Sequence, residues 1–375
     1  MIYVVKPGDT LFSISRHFGI PSQEIAQLNQ LEDPNMLAVG QALLLLYRMP
    51  TGKWSVEANG YAYPAISPWQ LDDSLQQLNG LAVFSYGFLA DGTLLPPMDD
   101  DGWMLIEANR QGARAALVLT PFGADGRFDN QLIGTLLDDC DAQDRLLDQI
   151  CRVMGEKGYD ELNLDFEFIQ PEDRRSYVAF VERAKARLPY AVTVCLAPKI
   201  SRDQKGILYE GKDYRGLGAA ADKVMLMTYE WGYTYGQPMA VAPLHKVEDV
   251  VQYALTEIPA EKILLGLANY GYDWPKSQGQ TYCPARTIGN VEAAALAGEK
   301  GAEIFFDSQA QSPWFRYKEN GVLHEVWFED VRSWQGKLSL VNQYRLAGVS
   351  VWQIMRPFRA GLYLLGQNYR CGSDE

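Results

Sequence analysis

The sequence is poor in the residues that build metal sites and disulfide frameworks. Only three of its 375 residues are histidines, and His17, His245 and His324 lie too far apart for a metal-spaced cluster. The five cysteines, scattered and without a CxxC pair, are Cys140, Cys151, Cys195, Cys283 and Cys371. An odd number at such spacing predicts free thiols rather than a disulfide scaffold or a zinc site.

Long apolar runs and an excess of basic charge are also missing. No segment reaches the roughly 18 apolar residues of a membrane span, and Met1 leads into IYVVKPGDTL without the pattern of a signal peptide. Acidic residues number 47 against 34 lysines and arginines, and the net charge of -13 repels nucleic acid and anionic membranes. We therefore expect a monomer with a neutral or amphoteric partner, without nucleic acid or membrane insertion.

Residues 1–47 predict a small βααβ unit, with Asp9 as a helix N-cap and Gly19 as a helix stop. The segments YVVKPGDTLFSISRHFGI, IAQLNQL and LAVGQALLL resemble the LysM domain, which binds N-acetylglucosamine in chitin or peptidoglycan. The resemblance implies that glycan-binding residues are Gly8, Asp9, Thr10, Asn29 and those that follow Asn29. The alternative for Gly8 and Asp9 is a turn and a cap without a binding role.

Residues 48–54 predict a linker with Pro50 and Gly52, and residues 55–375 alternate extended apolar runs with amphipathic ones. The predicted strands span 56–63, 80–86, 114–120, 161–168, 191–197, 223–229, 262–268 and 347–353. Eight strands with intervening helices predict an α/β fold, a (β/α)8 TIM barrel. The residues at about 275–335 exceed what a simple barrel of this type needs. They predict a small α+β insertion between the seventh and eighth strands.

The stretch LNLDFEF, residues 162–168, places polar residues at every second position. In a strand, Asn163, Asp165 and Glu167 share one face, and the four apolar residues share the other. By itself the pattern also fits a half-exposed strand with a solvated polar face. In a barrel the polar face points inward, where two carboxyls are costly unless they are hydrogen-bonded or one is protonated.

This strand resembles the motif DGxDxDxE of family 18 glycoside hydrolases, the chitinase and N-acetylglucosaminidase group, and reads DELNLDFE here. Asp160, Asp165 and Glu167 match, whereas Asn163 replaces an aspartate that can share a proton with its neighbour. Asp165 must therefore be tuned by something else. LMTYEWG resembles the motif MxYD with Glu230 for the aspartate, and GVSVWQI supplies a tryptophan, Trp352, at the expected subsite floor.

The segments VMLMTYEWGYTYGQPMAVAPL, GLANYGYDWP and HEVWFEDVRS resemble a narrower branch, in which LysM modules precede a barrel that cleaves peptidoglycan during spore germination. The resemblance implies Glu167 as the general acid, Asp165 as the group that orients the substrate's 2-acetamido group, and Tyr229 as a donor to that group. It implies a place at the spore coat or cortex surface. Substrate-binding candidates at strand ends are Asn163, Trp352, Tyr61, Tyr86, Asn269, Tyr270, Met227 and Glu230, with Tyr63, Trp231 and Trp274 beside them.

Each aromatic candidate has core packing as its alternative, and Glu230 falls on the strand face opposite Tyr229 unless the strand end twists, so its role stays open. We expect no metal or cofactor, because the acid, the acetamido group and the fixed dipoles of the barrel suffice. Three functions fit: an N-acetylglucosaminidase acting on peptidoglycan or chitin oligosaccharides, a non-catalytic glycan-binding protein, and a structural spore-coat protein. The presence of Glu167 favours the enzyme.

Overall fold

The computed structural model describes residues 1–45, 55–277 and 282–369. The predicted linker at 48–54 and Cys371 lie outside these ranges.

The N-terminal elements are β1 (Ile2–Val4), α1 (Leu11–Phe18), α2 (Ser22–Asn29) and β2 (Ala42–Leu44). The next elements in chain order are β3 (Glu57–Ala62), α3 (Pro68–Leu75), β4 (Gly80–Phe88), β5 (Leu94–Leu95), α4 (Gly102–Arg110), β6 (Arg114–Leu119), α5 (Gln131–Asp138), α6 (Cys140–Lys157), β7 (Glu161–Leu164), α7 (Arg174–Arg187), β8 (Ala191–Leu196), α8 (Tyr214–Ala220), β9 (Lys223–Leu226), α9 (Leu244–Glu257) and β10 (Ile263–Ala268).

The remaining elements are β11 (Gly271–Lys276), β12 (Arg286–Ile288), α10 (Asn290–Glu299), β13 (Phe305–Asp307), β14 (Ser312–Glu319), β15 (Val322–Trp327), α11 (Val331–Tyr344), β16 (Gly348–Trp352) and α12 (Arg359–Asn368). The strands β3, β4, β6, β7, β8, β9, β10 and β16 pair in parallel, and β16 pairs with β3 to close the sheet. The predicted (β/α)8 barrel is confirmed.

An antiparallel sheet in the order β12-β11-β15-β14-β13 lies in the chain between β10 and β16, and α10 packs on one face of it. This sheet is the predicted α+β insertion. It begins at Gly271, four residues before the expected start, because β11 follows β10 almost directly. The insertion therefore starts at the carboxyl end of a barrel strand, the end at which barrel enzymes carry their chemistry.

Strand β7 shows how alternation in sequence becomes two different environments. Leu162 and Leu164 face the surrounding helices, and the Phe166 ring stacks on Tyr177 and Phe180 of α7, with centroids 5.7 and 6.1 Å away. Asn163, on the other face, points into the barrel and donates to the Tyr61 hydroxyl at 3.0 Å. The predicted inward and outward faces are thus present.

Two barrel strands end three or four residues before the predicted limit. β7 ends at Leu164 and β9 at Leu226, whereas the patterns predict strands to 168 and 229. Beyond the last hydrogen bonds between strands, side chains no longer alternate between the two faces of the sheet. Phe168 is half-buried rather than packed under the helices. Glu230 adopts a left-handed backbone conformation with φ of 68°. The motifs LNLDFEF and LMTYEWG consequently finish in irregular segments at the barrel mouth.

The N-terminal unit has its own small core, which includes Leu11, Ile14 and Ile25. Thr10, not Asp9, is the N-cap of α1: its hydroxyl accepts from Ser13 N, and the Ser13 hydroxyl accepts from Thr10 N. The prediction for Asp9 is wrong by one residue, because the Asp9 carboxylate accepts instead from Tyr3 and Lys6. Gly19 ends α1 in a left-handed conformation, as predicted.

This unit is docked against the rest of the chain. The Arg359 backbone N–H, at the start of α12, donates to Gln30 Oε1 at 2.7 Å, and its guanidinium donates to the Gln27 carbonyl. Ile304 N donates to the Val39 carbonyl at 2.8 Å. The next residue, Gly40, is so close to Ile304 that a Cβ on it would lie 1.9 Å from the Ile304 carbonyl oxygen. Within the described ranges, none of the helices is long and apolar enough to cross a membrane.

Candidate active site

A cavity of about 270 Å³ opens at the carboxyl ends of the barrel strands. Its walls combine aromatic rings with a few carboxyls, a mixture typical of ligand-binding sites. It is lined by Tyr63, Phe84, Phe128, Asp165, Glu167, Ala197, Pro198, Leu208, Tyr209, Met227, Tyr229, Glu230, Trp231 and Trp352. The structure thus brings together eight of the residues that the sequence singles out as catalytic or substrate-binding: Asp165, Glu167, Met227, Tyr229, Glu230, Trp352, Tyr63 and Trp231.

A larger cavity of about 440 Å³ lies at the opposite end of the barrel, around the amino ends of the strands. Its charged side chains include Glu57 and Lys223, which pair with each other. In (β/α)8 enzymes this end serves stability, and catalysis takes place at the carboxyl ends. The smaller cavity at the mouth is therefore the candidate active site.

Asp165 and Glu167 face this cavity from the segment after β7. Asp165 is buried, and its Oδ1 is among the buried polar atoms without a hydrogen-bond partner in the described part of the chain. Burial raises the pKa of Asp165, Glu167 raises it further, and Lys212 opposes both. Burial also raises the pKa of Glu167, where Lys212 again opposes and Glu230 adds to the shift. A carboxyl whose pKa is raised stays protonated nearer neutral pH and can act as a general acid.

Lys212 is a functional candidate that the sequence reasoning missed. It lies between β8 and α8, in the stretch YEGKDY, and its side chain is 1% exposed. Its Nζ donates to the carbonyls of Phe166 and Cys195. No periodicity or motif marks this lysine, because its position depends on how a long loop folds back over the end of β7.

Glu230 turns toward the cavity despite its place in the strand alternation. Its carboxylate accepts from the hydroxyls of Tyr270 and Tyr272, the latter at 2.9 Å. Burial raises the pKa of Glu230, and the two tyrosine hydrogen bonds counteract it. The left-handed backbone at Glu230 and these two donors from the start of the insertion hold the carboxyl in place.

Aromatic rings form the apolar part of the cavity. The Trp352 ring, at the end of β16, lies 4.9 Å from Phe84 and 6.4 Å from Tyr63, both in edge-to-face contact. Tyr229 and Trp231 line the cavity from the segment after β9. Rings held in this way present fixed apolar surfaces, on which the apolar face of a sugar can stack.

Asn163 and Tyr61 lie beneath the cavity floor rather than in it. Asn163 is 1% exposed, and its two side-chain bonds are to Tyr61 and to the thiol of Cys195. Asn269 is also buried, where its amide donates to the carbonyls of Gln353 and Arg356 and so anchors the segment after β16. These residues support the site rather than line it.

Two further predictions are corrected. Tyr86 points away from the cavity, into the layer between strands and helices, where its hydroxyl donates to Asp101 at 2.7 Å. Trp274 is fully buried in β11, so neither ring is available to a sugar. Tyr270 does not line the cavity and acts on it through Glu230. The errors for Tyr86 and Trp274 arise because a position at the end of a strand, inferred from sequence, does not specify which face of the sheet the side chain occupies.

In the N-terminal unit, Gly8 has φ of 86° and an open surrounding, and Thr10 is exposed. The side chain of Asn29 is occupied: it donates to the carbonyls of Ile25 and Leu44 and accepts from Leu44 N at 2.7 Å. Asn29 therefore holds α2 against β2, and its glycan-binding role stays a prediction. Gly8, Asp9 and Thr10 lie together on one loop.

No group of three or more His, Cys, Asp or Glu side chains that could hold a metal ion occurs in the ranges that the structure describes. Cys140, Cys151, Cys195 and Cys283 are free thiols, as predicted.

Comparison with known proteins adds two family matches. The model of the LysM domain matches residues 3–45, and the model of glycosyl hydrolases family 18 matches residues 104–356. The second match covers β6 to β16 and includes every carboxyl of the mouth cavity.

The relatives match over the whole length. The chain is 37% identical to the cortical fragment-lytic enzyme of Bacillus subtilis (strain 168), over 98% of both chains. The crystal structure of the Bacillus cereus spore cortex-lytic enzyme SleL superimposes with a TM-score of 0.81 at 36% identity, covering 100% of this chain and 88% of that one. A chitinase from Chromobacterium violaceum ATCC 12472 superimposes with a TM-score of 0.76 at 25% identity, over 84% of this chain and 99% of that one.

Proposed function

This chain belongs to glycosyl hydrolases family 18, and from that premise we propose that it cleaves N-acetylglucosaminyl linkages in peptidoglycan of the spore cortex. The mechanism is retaining and assisted by the substrate's own 2-acetamido group. The observation that carries the proposal is the Asp165–Glu167 pair in the mouth cavity, with Asp165 Oδ1 buried and unpaired. An unpaired buried carboxylate oxygen is costly, which supports a role toward a bound group.

Glu167 is the general acid. It lies nearer the barrel mouth than Asp165, and burial raises its pKa, so it stays protonated nearer neutral pH than an exposed glutamate does. Protonation of the leaving oxygen is the step that glycoside cleavage cannot omit. Asp165 and Tyr229 then hold the acetamido group, whose oxygen attacks the anomeric carbon. The enzyme forms no covalent bond to the sugar.

One observation supports a cortex substrate over chitin. The chain matches the cortical fragment-lytic relatives over nearly their full length, whereas the chitinase match is weaker and covers 84% of this chain. The LysM match supports delivery to a glycan with N-acetylglucosamine. The proposed location, the spore coat or cortex surface, follows from the same relatives.

The central test is Glu167→Gln, assayed on soluble cortex fragments and on chitin oligosaccharides. We expect kcat to fall by about 10² to 10⁴-fold, because the amide has no proton to give, while fragment binding persists. The matched control is Glu161→Gln, at the other end of β7, which should keep wild-type turnover. Turnover of Glu167→Gln near the wild-type rate would remove Glu167 as the acid, and faster cleavage of chitin oligosaccharides than of cortex fragments would favour the chitinase alternative.

Substrate assistance has its own test. We expect retention of anomeric configuration, negligible cleavage of fragments with a free amine at carbon two, and strong inhibition by a thiazoline that mimics the cyclised intermediate. A mimic of the transient species should bind much more tightly than substrate. Covalent labelling of Asp165 by a mechanism-based fluorosugar would instead identify Asp165 as a nucleophile.

Delivery by the LysM unit is tested with Thr10→Asp. Aspartate is also a good N-cap, so α1 should persist while a carboxylate enters the candidate glycan loop. We expect weaker pull-down by insoluble cortex and unchanged turnover of soluble fragments. Gln23→Asp, exposed on α2 outside that loop, is the control. Equal pull-down of both variants would show that this loop is not the anchor.

A further inference from the structure

Asp165 lies in a site that should keep it neutral. It is buried, Glu167 is two residues away, and Asn163 has no proton to share. The side chain of Asn163 is committed to Tyr61 and Cys195. A carboxylate is needed, however, to steady the positive charge that develops on the cyclised acetamido group. Some cation must therefore compensate for the burial of Asp165.

Lys212 is that cation. Its Nζ donates to the carbonyl of Phe166, the residue between Asp165 and Glu167, and to the carbonyl of Cys195 at 3.3 Å. The same Nζ lies 5.4 Å from the centroid of the Tyr177 ring. Two carbonyl dipoles and a ring face all stabilise a positive charge. Burial acts against them and lowers the pKa of Lys212 to about 8, so the ammonium is charged below that pH.

The backbone around Lys212 is built to bring it there. A Cβ on Gly211 would lie 2.1 Å from the Ile169 carbonyl oxygen, so only glycine permits this close approach to the segment after β7. Lys199 Nζ donates to the Lys212 carbonyl at 3.1 Å and ties the loop from the other side. Lys212 is therefore positioned by two tertiary contacts of its own segment.

The groups that face Asp165 come from several elements. Lys212, Glu167 and Cys195 act on its charge. Asp165 in turn raises the pKa of four tyrosines. They are Tyr61 of β3, Tyr63, Tyr177 of α7, and Tyr229 in the segment after β9. All these tyrosines remain neutral at physiological pH. The charge balance at Asp165 is thus set by one carboxyl, Glu167, and one ammonium, Lys212.

We propose that Lys212 is a positioning residue for the reaction: it favours the state of the Asp165–Glu167 pair in which one carboxyl is ionised and the other holds the proton, and so takes over the part that a second aspartate would play at position 163. Lys212 does not touch the substrate and acts through the carboxyl pair. This inference rests on the proposed roles of Asp165 and Glu167. It adds a cation that favours one ionised carboxyl in the pair.

The test is the pH profile of kcat/KM for Lys212→Met on soluble cortex fragments. An opposite charge nearby lowers a carboxyl pKa by about 1 to 3, so removing Lys212 should move the acidic limb of the profile to higher pH by a similar amount. The basic limb, which reports Glu167, should move in the same direction. At a fixed pH below the new limb, the rate should fall about tenfold for each pH unit that the limb has moved.

Lys262→Met is the matched control, because Lys262 Nζ also donates to two backbone carbonyls, those of Gly218 and Ala221, far from the mouth cavity. The Lys262→Met variant should leave both limbs of the kcat/KM profile at their wild-type pH. Lys212→Arg keeps the charge and should keep the limbs near their wild-type positions. A Lys212→Met profile that is lower but unshifted would overturn the proposal, since a merely structural role changes the height of the profile and not its position.

A measurement on the wild-type protein covers the case in which Lys212→Met does not fold. NMR titration of the ¹³C-labelled Asp165 carboxyl and the ¹⁵N-labelled Lys212 ammonium should find Lys212 charged throughout the pH range in which the enzyme turns over. A neutral Lys212 in that range would overturn the proposal. The titration needs no turnover, so failure of the proposed hydrolysis, an inactive wild type, remains distinguishable from failure of the Lys212 assignment.

Discussion

At the scale of single residues, the site keeps acidic side chains where burial opposes their ionisation. Asp165 and Glu167 both have raised pKa values, with burial as the largest cause. This burial costs folding free energy once the solution is basic enough to ionise the two carboxyls. Activity and stability therefore make opposite demands on these two positions.

Glu167→Gln should reveal this cost. Because the pKa of Glu167 is raised in the folded protein, the wild type loses stability as pH rises from the unfolded value of about 4.3 through the folded value, and the amide does not. We expect equal melting temperatures at pH 4 and a higher melting temperature for Glu167→Gln at pH 7. Scanning calorimetry of the wild type and Glu167→Gln at pH 4 and pH 7 measures these melting temperatures. A variant less stable than wild type at pH 7 would contradict the assignment of a destabilising buried carboxyl.

At the scale of elements, the segment between β8 and α8 matters more to the site than its irregular structure suggests. It supplies Leu208 and Tyr209 to the cavity and Lys212 to the carboxyl pair. The Tyr214 hydroxyl donates to the Ala197 carbonyl at 2.5 Å, and Lys199 bonds two carbonyls of the segment, so both of its ends are tied to the barrel.

Gly211→Ala tests the close approach of this segment to the end of β7. The added methyl would meet the Ile169 carbonyl, so the segment must shift, which we expect to cost about 1 to 3 kcal/mol of unfolding free energy. Turnover should fall with it, because Lys212 moves away from Asp165. Gly123→Ala is the control, since its nearest neighbour would lie 3.6 Å away. Denaturant titration compares the two, and equal losses would indicate that Gly211 is not specially constrained.

At the scale of the whole molecule, the LysM unit is part of the packed structure. Its α2 end bonds to Arg359 at the start of α12, its residues 39 and 40 bond to Ile304 and Arg332, and the Arg359 guanidinium pairs with Asp73 of α3. A unit of this size has a marginal core by itself, and these contacts extend it.

Deleting residues 1–45 should therefore destabilise the barrel rather than leave it unchanged. We expect a lower melting temperature for the deletion, because surfaces on α11, α12 and the insertion lose their partner. Arg359→Ala, which removes the guanidinium contacts to Gln27 and Asp73, should lower it by less. Thermal unfolding of the wild type, the deletion variant and Arg359→Ala measures the three melting temperatures. A deletion variant that melts at the wild-type temperature would mean that the LysM unit and the barrel are energetically independent.

The sequence by itself determined the barrel, the LysM unit and the carboxyl pair, because each depends on local chemistry: alternation along β7, helical periodicity, and motifs contained in a few consecutive residues. The roles predicted for Asp165, Glu167 and Tyr229 came from the resemblance of these motifs to a family, because alternation alone also fits a half-exposed strand. Only the tertiary structure decided that Tyr86 and Asn269 serve the scaffold, that Glu230 turns into the cavity, and that Lys212 bonds to the carbonyl of the residue between the two carboxyls. Strand alternation stops where ladder bonds stop, at Leu164 and Leu226. A contact such as that between Lys212 and Phe166, 46 residues apart, arises from loop closure and packing, which leave no periodic trace in the chain.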